Sequence, residues 1–189
     1  MIGGGFRLSR SMKQSRRVAI GGLITALSIV FMFATGIFPF STFALPALAG
    51  ILLIPLCVDM GLKWGALVYI AVSILALLLT PDREAAFFYL GLFGHYPILK
   101  GMIESRCPKK IKWFVKFIAF NLSLGLCLLL TVLVFGLEYL TVEYGLMGGT
   151  GIAILLIGGN GAFLLYDICL TRIVSAYLRF IRPRFKKFF

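Results

Sequence analysis

The chain has 189 residues, of which 60% are hydrophobic and only 14% are charged, and its formal net charge is +12. This composition lies far outside the usage of soluble domains, so we expect an integral membrane protein. The basic residues lie beside apolar stretches and no RNA- or DNA-binding motif accompanies them, so we expect them to contact membrane lipid and set topology, and we expect no nucleic-acid partner.

Six apolar segments divide the chain, and threading them through a bilayer places every lysine and arginine except Arg83 on one side. Because cytoplasmic loops collect Lys and Arg, both termini and the central basic loop should be cytoplasmic. We therefore predict an all-α membrane protein with six transmembrane helices. Residues 1–17 would form a basic cytoplasmic N-terminus, residues 18–180 the membrane domain, and residues 181–189 a basic cytoplasmic C-terminus.

The first three predicted spans are residues 18–38, 44–58 and 64–79. In the first, Gly22 and Ala26 form a small-xxx-small pair, and Ala19 keeps the surrounding surface narrow. Such a surface serves either packing within the chain or contact with a partner helix. The second span contains Pro46 and Pro55, so we expect it to be broken or partly re-entrant.

The last three predicted spans are residues 80–105, 113–137 and 150–180. The fourth begins with a clear helix-start signal: Thr80 can cap the helix, Pro81 suits its first position, and Asp82 complements the helix dipole. Further along, Pro97 removes a backbone hydrogen bond, so we expect a kink near His95.

Catalysis is not expected, because the chain offers one histidine and seven acids and contains none of the common hydrolase, metalloprotease, nucleotide-binding or paired-cysteine motifs. The four cysteines are scattered, which predicts neither a disulfide framework nor a metal site. The informative groups are polar side chains at depths where contact with lipid would be costly.

Two such groups lie on the fourth span, where Glu84 and His95 share a helix face with Phe88 and Gly91. They form either a polar path from the outer surface to mid-membrane, or a solvated acid and a histidine bonded to a neighbouring helix.

On the sixth span, Asn160 lies among glycines, as either a ligand contact or helix-packing glue. Asp167, nearer the cytoplasm, is expected to pair with Lys100 or Lys116.

Aromatic and acidic residues collect at the predicted extracellular ends. They are either an interfacial belt or the walls of an outer cavity. They include the loop around Phe40 and Thr42, together with Tyr89, Glu138 and Glu143.

Taken together, the six spans, the cytoplasmic termini, the basic start followed by AIGGLITA, and the hydrophobic first loop resemble a substrate-binding S component of an energy-coupling factor (ECF) transporter. The Ala-x-x-x-Ala stripe of that family would fall at Gly22 and Ala26, with Gly replacing the first alanine. The N-terminal metal-binding histidine of the nickel and cobalt members is absent.

The resemblance implies a bacterial inner-membrane location and a coupling subunit with ATPases as partners. It places partner contacts at Ala19, Gly22 and Ala26. It also implies a small-molecule solute bound near the extracellular side, with no resident cofactor or metal. The residues that it assigns to the solute are Phe40, Thr42, Glu84, Tyr89, His95, Glu138 and Asn160.

The leading hypothesis from the sequence is thus a membrane subunit that captures a vitamin-like solute outside and relies on a separate ATP-driven module. The alternative is a non-transporting membrane scaffold or lipid-handling protein of the cell envelope, in which the buried polar residues join helices. A channel ranks third, because so few helices would have to oligomerise to enclose a pore.

Overall fold

The computed structural model of the protein describes residues 4–38, 41–106, 108–136, 138, 149–181 and 183, and the regular elements in these ranges are helices. In chain order they are α1 (Gly4–Ala34), α2 (Ala44–Ile51), α3 (Ile54–Asp59), α4 (Leu62–Leu79), α5 (Arg83–Phe88), α6 (Tyr96–Arg106), α7 (Lys109–Phe135) and α8 (Gly149–Ala176). π-helical stretches continue α5 over Tyr89–Phe93 and α8 over Tyr177–Ile181. The all-α prediction is therefore confirmed for the described ranges.

Within the part of the chain that the structure describes, four helical stretches are long and apolar enough to cross a membrane. They are Gln14–Ala34, Leu62–Leu79, Ile111–Phe135 and Leu156–Phe180. These correspond to the first, third, fifth and sixth predicted spans. The other two predicted spans are divided into shorter helices, so six crossings and cytoplasmic termini stay predictions.

The outer surface of the bundle is apolar. Leu122 is 75% exposed and Ile157 is 76% exposed, and many other large hydrophobic side chains point outward from α1, α4, α7 and α8. A soluble monomer rarely exposes so much contiguous apolar surface. The protein is therefore suited to a membrane, with these faces against lipid.

The second predicted span is broken, as its prolines indicate. Pro46 lies in the first turn of α2 and Pro55 in the first turn of α3, where the missing N–H group would have no helical partner anyway. Between them the chain turns at Leu52 and Leu53, and the Leu53 N–H donates to the Gly50 carbonyl at 3.1 Å. Each proline thus starts a short helix.

The start of α5 differs from the prediction at one residue. Asp82, not Thr80, caps the helix: its Oδ1 accepts the Ala85 N–H at 3.1 Å. Thr80 instead ends α4, because its N–H still donates to the Ala76 carbonyl at 3.0 Å. Asp82 therefore caps the helix, because its side chain can reach the free N–H groups of α5.

Near His95, where Pro97 predicts a kink, the regular helix is interrupted at Gly94 and His95, between the π-helical stretch and α6. Pro97 has no N–H to donate to the Phe93 carbonyl four residues earlier. The Tyr166 hydroxyl of α8 donates to that carbonyl instead, at 3.3 Å. A neighbouring helix thus satisfies a backbone group that would be costly to leave unbonded in a membrane.

The segment from α5 to α6 lies at the centre of the bundle, because it buries two opposite faces. Ala85, Ala86 and Tyr89 pack into a cluster with α1, α2 and α4. Phe88 and Leu92 pack into a second cluster with α7 and α8. Contacts from all sides hold this broken helix in place.

Candidate functional site

The predicted solute residues that the structure describes lie in different surroundings. Thr42 donates a hydrogen bond to Asp82 Oδ2 at 3.0 Å, so it ties the connection after α1 to the cap of α5. Glu84 lies half-buried in the first turn of α5. Glu138 is exposed, and Phe40 lies outside the described residues.

Tyr89 is buried completely, with 0% of its surface exposed. Its ring lies 6.1 Å from that of Tyr69, and its hydroxyl makes no hydrogen bond within the described ranges. A solute could not touch this side chain without a rearrangement of the core.

His95 is bonded to the neighbouring helix α7. Its Nε2 lies 3.0 Å from the Ser123 hydroxyl, and its ring meets the edge of Tyr69 at 6.2 Å. These residues line a shallow groove of about 670 Å³ between α4 and α7, which also includes Asn121. The geometry matches the alternative in which this histidine joins helices, and it leaves the imidazole half-buried.

Asn160 pairs with Asn121 in a reciprocal amide bond between α8 and α7. Each Nδ2 donates to the other's Oδ1, at 3.2 Å and 3.0 Å, and each also donates to a carbonyl one turn earlier in its own helix, Leu156 or Phe117. Protein groups thus satisfy the donors and acceptors of the two amides, as expected of side chains that join two helices.

A second cavity lies between α2, the π-helical stretch, α7 and α8, and none of the predicted residues that the structure describes lines it. Its volume is about 380 Å³. The described residues that line it are Phe43, Phe88, Leu92, Phe93, Phe120, Leu124, Leu128, Ile154, Gly158, Gly159, Ala162, Phe163 and Tyr166. Tyr166 is the one polar side chain in this set, and its hydroxyl is already bonded to the Phe93 carbonyl.

Aromatic rings and a glycine shape this cavity. Phe120 and Phe163 stack with their centroids 4.4 Å apart, and Phe43 meets Phe88 at 4.6 Å. A Cβ atom built on Gly159 would lie 3.5 Å from Leu124, in ordinary contact, so the missing side chain leaves space between α8 and α7. In the sequence, the glycine cluster GGNG indicated a close contact at Asn160. The residue that lines the cavity is Gly159, directly before it.

Beneath the cavity, four ionised side chains join three helices. Asp167 of α8 forms ion pairs with both Lys100 of α6 and Lys116 of α7, the latter with 3.0 Å to each carboxylate oxygen. Glu104 accepts from the two lysines at 3.2 Å and 2.9 Å, and the Tyr96 hydroxyl donates to Asp167 at 2.7 Å. The expected pairing of Asp167 is therefore confirmed, with both candidate partners at once.

The predicted partner surface on α1 is not used for packing within the described chain. Ala19, Gly22 and Ala26 are all exposed, and a Cβ built on Gly22 would meet no atom within 4 Å. Gly21, one position earlier, is buried with its Cβ position 3.3 Å from Val68. The helix therefore packs on α4 through one face and presents the small residues on the other.

Comparisons with protein-family models, with curated proteins and with solved structures gave no match. The similarity to an S component therefore depends on the sequence features given above.

Proposed function

We propose that the protein is a membrane-embedded binding subunit for a small, largely apolar molecule, and that a separate partner supplies any energy for transport. The observation that carries this proposal is the aromatic cavity. Its volume falls within the range of small-molecule sites, and such sites are mostly apolar.

The position of the cavity supports binding in the outer half of the membrane. Phe43 directly precedes α2, Phe88 ends the short helix α5, and Ile154 lies near the start of α8. These helix ends adjoin the connections predicted to be extracellular, whereas the basic loop before α7 lies at the other end of the bundle.

Because the lining of the cavity is apolar, the chemical class of solute that we expect differs from the one predicted from the sequence. The polar residues assigned to it from the sequence bond to protein groups or lie away from the cavity, so a hydroxyl-rich or charged vitamin would find few partners there. A charged or strongly polar molecule would lose its hydration without replacement. The lining instead favours an uncharged aromatic or hydrocarbon body.

The exposed small residues of α1 support a partner that acts through the membrane. Helices associate in lipid where small residues let backbones approach closely. Ala19, Gly22 and Ala26 offer such a face, and it lies on the far side of the bundle's core from α7 and α8. A coupling subunit bound there would leave the cavity free.

Two glycine variants test the proposal. Gly159→Leu should fill the cavity, while Gly161→Leu adds the same side chain to α8 at a position where a Cβ meets no atom within 4 Å and which does not line the cavity. Both changes raise helix propensity equally.

The measurement is thermal unfolding in lipid nanodiscs with indole, naphthalene and geraniol, and with glucose and choline as polar comparisons. A ligand at about 100 times its Kd stabilises by about 2.7 kcal/mol. We expect one or more of the apolar compounds to stabilise the wild type and Gly161→Leu, but not Gly159→Leu. Stabilisation of Gly159→Leu to the same extent, or of none of the three proteins, would contradict the proposal.

A second candidate, the non-transporting scaffold, is favoured by the bonds of His95 and Asn160 to α7. Under that function the polar residues only hold helices together. A double-mutant cycle on Asn121 and Asn160, each changed to alanine, should give a coupling energy of about 0.6–1.7 kcal/mol under both functions. The two functions diverge in the nanodisc measurement, because a scaffold would show no stabilisation that Gly159→Leu removes.

A further inference from the structure

The aromatic cavity is open on one side, and its exposed lining residues show where. Phe43 at the start of α2 is 49% exposed and Ile154 on α8 is 71% exposed, and Gly158 and Ala162 on α8 are also exposed. The remaining lining residues are buried or half-buried. The opening is therefore bordered by the N-terminal end of α2 and by one face of α8, since residues 154, 158 and 162 are spaced by four.

The two helices that border the opening meet at its lower end. A Cβ built on Gly50 of α2 would lie only 2.9 Å from the Tyr166 hydroxyl of α8, so the glycine allows close contact there. Gly50 follows Phe43 by seven positions, and Tyr166 follows Gly158 by eight. At a rise of about 1.5 Å per residue, the border residues Phe43 and Gly158 lie about 10–12 Å along their helices from this close contact.

The surface around the opening is apolar. Leu48 of α2 is 45% exposed, and Ile157 and Leu165 of α8 are 76% and 67% exposed. A Cβ built on Gly158 would meet no atom within 4 Å, so nothing in the described chain covers this part of α8. Side chains of this kind face hydrocarbon in a membrane protein, so the described surface around the opening is suited to the lipid phase.

The chemistry of the ligand site agrees with this geometry. An uncharged aromatic or hydrocarbon molecule partitions into the bilayer core, so its local concentration is highest beside the opening. We propose that the ligand is a bilayer-dissolved apolar molecule that reaches the cavity sideways, through the gap between α2 and α8. This inference depends on the proposed function, because it concerns how that same cavity is filled.

A bulky side chain in the gap tests the route without changing the cavity floor. Gly158→Phe places a ring at the border of the opening, and Gly161→Phe is the matched control on the outer face of α8. The probe is the neutral aryl diazirine 3-phenyl-3-(trifluoromethyl)diazirine, delivered from vesicles to protein in nanodiscs and photolysed at intervals from milliseconds to minutes. Peptide mass spectrometry then compares labelling of the buried Phe163 with that of the lipid-facing Leu122.

We expect Phe163 labelling in Gly158→Phe to rise more slowly than in the wild type by about tenfold, the change that about 1.4 kcal/mol of added barrier produces. Each labelling curve is normalised to its own final level, because Gly158 also lines the cavity, and Gly161→Phe should match the wild type throughout. Equal rates in Gly158→Phe and the wild type would overturn the sideways route. Ala162→Phe, also on the border, serves as the second variant should Gly158→Phe not fold.

The experiment distinguishes failure of the proposed function from failure of the sideways route. If Phe163 stays unlabelled in the wild type at all times, the proposed function fails and not only the route. A phospholipid acyl chain shares the ligand's chemistry, and native mass spectrometry distinguishes it: a bound probe adds its own mass. Phospholipid adducts alone, lost in Gly159→Leu, would overturn access by a free small molecule.

Discussion

At the scale of single residues, the most strongly constrained group is Asp167. It is 3% exposed, and Lys100 and Lys116 beside it are 4% and 5% exposed. Two lysines facing one buried aspartate would be unfavourable without Glu104, which makes the cluster formally neutral. This arrangement fixes α6, α7 and α8 relative to one another about one helical turn below the cavity residues Phe120 and Phe163.

Removing Asp167 should therefore destabilise the protein strongly. Asp167→Ala leaves two buried ammonium groups short of a partner, and breaking a buried ion pair in this way costs about 3–5 kcal/mol. Reversible unfolding in mixed detergent micelles measures the loss. The triple change Asp167→Leu, Lys100→Met and Lys116→Met should recover most of it, because it replaces the buried charges with apolar groups of similar volume. Asp59→Ala, at an exposed carboxylate bonded to Tyr177, is the control and should cost much less.

At the scale of elements, the interrupted helix between α5 and α6 depends on α8. Pro97 has no N–H to donate to the Phe93 carbonyl, and the Tyr166 hydroxyl donates a hydrogen bond to that carbonyl. The same carbonyl lies against Gly50, so a backbone feature of one helix brings α2 and α8 together. The break is thus a point where three elements meet, at the closed end of the cavity.

Tyr166→Phe should destabilise the protein by about 1 kcal/mol, since it leaves a buried carbonyl without its donor. Pro97→Ala supplies an N–H that can reach the same carbonyl within the helix. In the Pro97→Ala background the cost of Tyr166→Phe should therefore shrink. Equal costs in the two backgrounds, measured as a double-mutant cycle of unfolding free energies, would show that the hydroxyl and the proline are independent.

The exposed small residues on the outward face of α1 allow a separate prediction. If a coupling subunit binds there, Gly22→Leu should abolish its copurification from the native membrane, because the side chain prevents close approach of the partner helix. Gly125→Leu is the matched control, as another exposed helical glycine whose Cβ meets no atom within 4 Å. Loss of the partner from both variants, or from neither, would mean that the small residues of α1 are not its contact surface.

At the scale of the whole molecule, the sequence predicted the elements better than the site. Length, hydropathy and proline positions sufficed for the helical class, the broken second span and the interruption near His95, since these depend on local backbone chemistry. The cap of α5 was assigned to Thr80 instead of Asp82, because both residues can cap and only the path of α4 decides between them.

The site could not be predicted because it depends on which faces meet. Asn160 and His95 are polar residues in apolar helices, and a sequence cannot tell a ligand contact from a bond to α7. The pairing with Asn121 and with Ser123 is visible only in three dimensions. Conversely, Phe120, Leu124 and Phe163 are ordinary core residues in the sequence, and they line a cavity because Gly159 leaves space beside them.

Under the proposed function, the cavity between α2, α7 and α8 holds a small apolar molecule. The most direct measurement is an electron-microscopy density map of the protein in nanodiscs, bound to a rigid antibody fragment and equilibrated with the stabilising compound. We expect nonprotein density in contact with Phe88, Leu124 and Gly159, and no such density in the map of Gly159→Leu. A wild-type map in which these side chains close on one another, with no density between them, would contradict it.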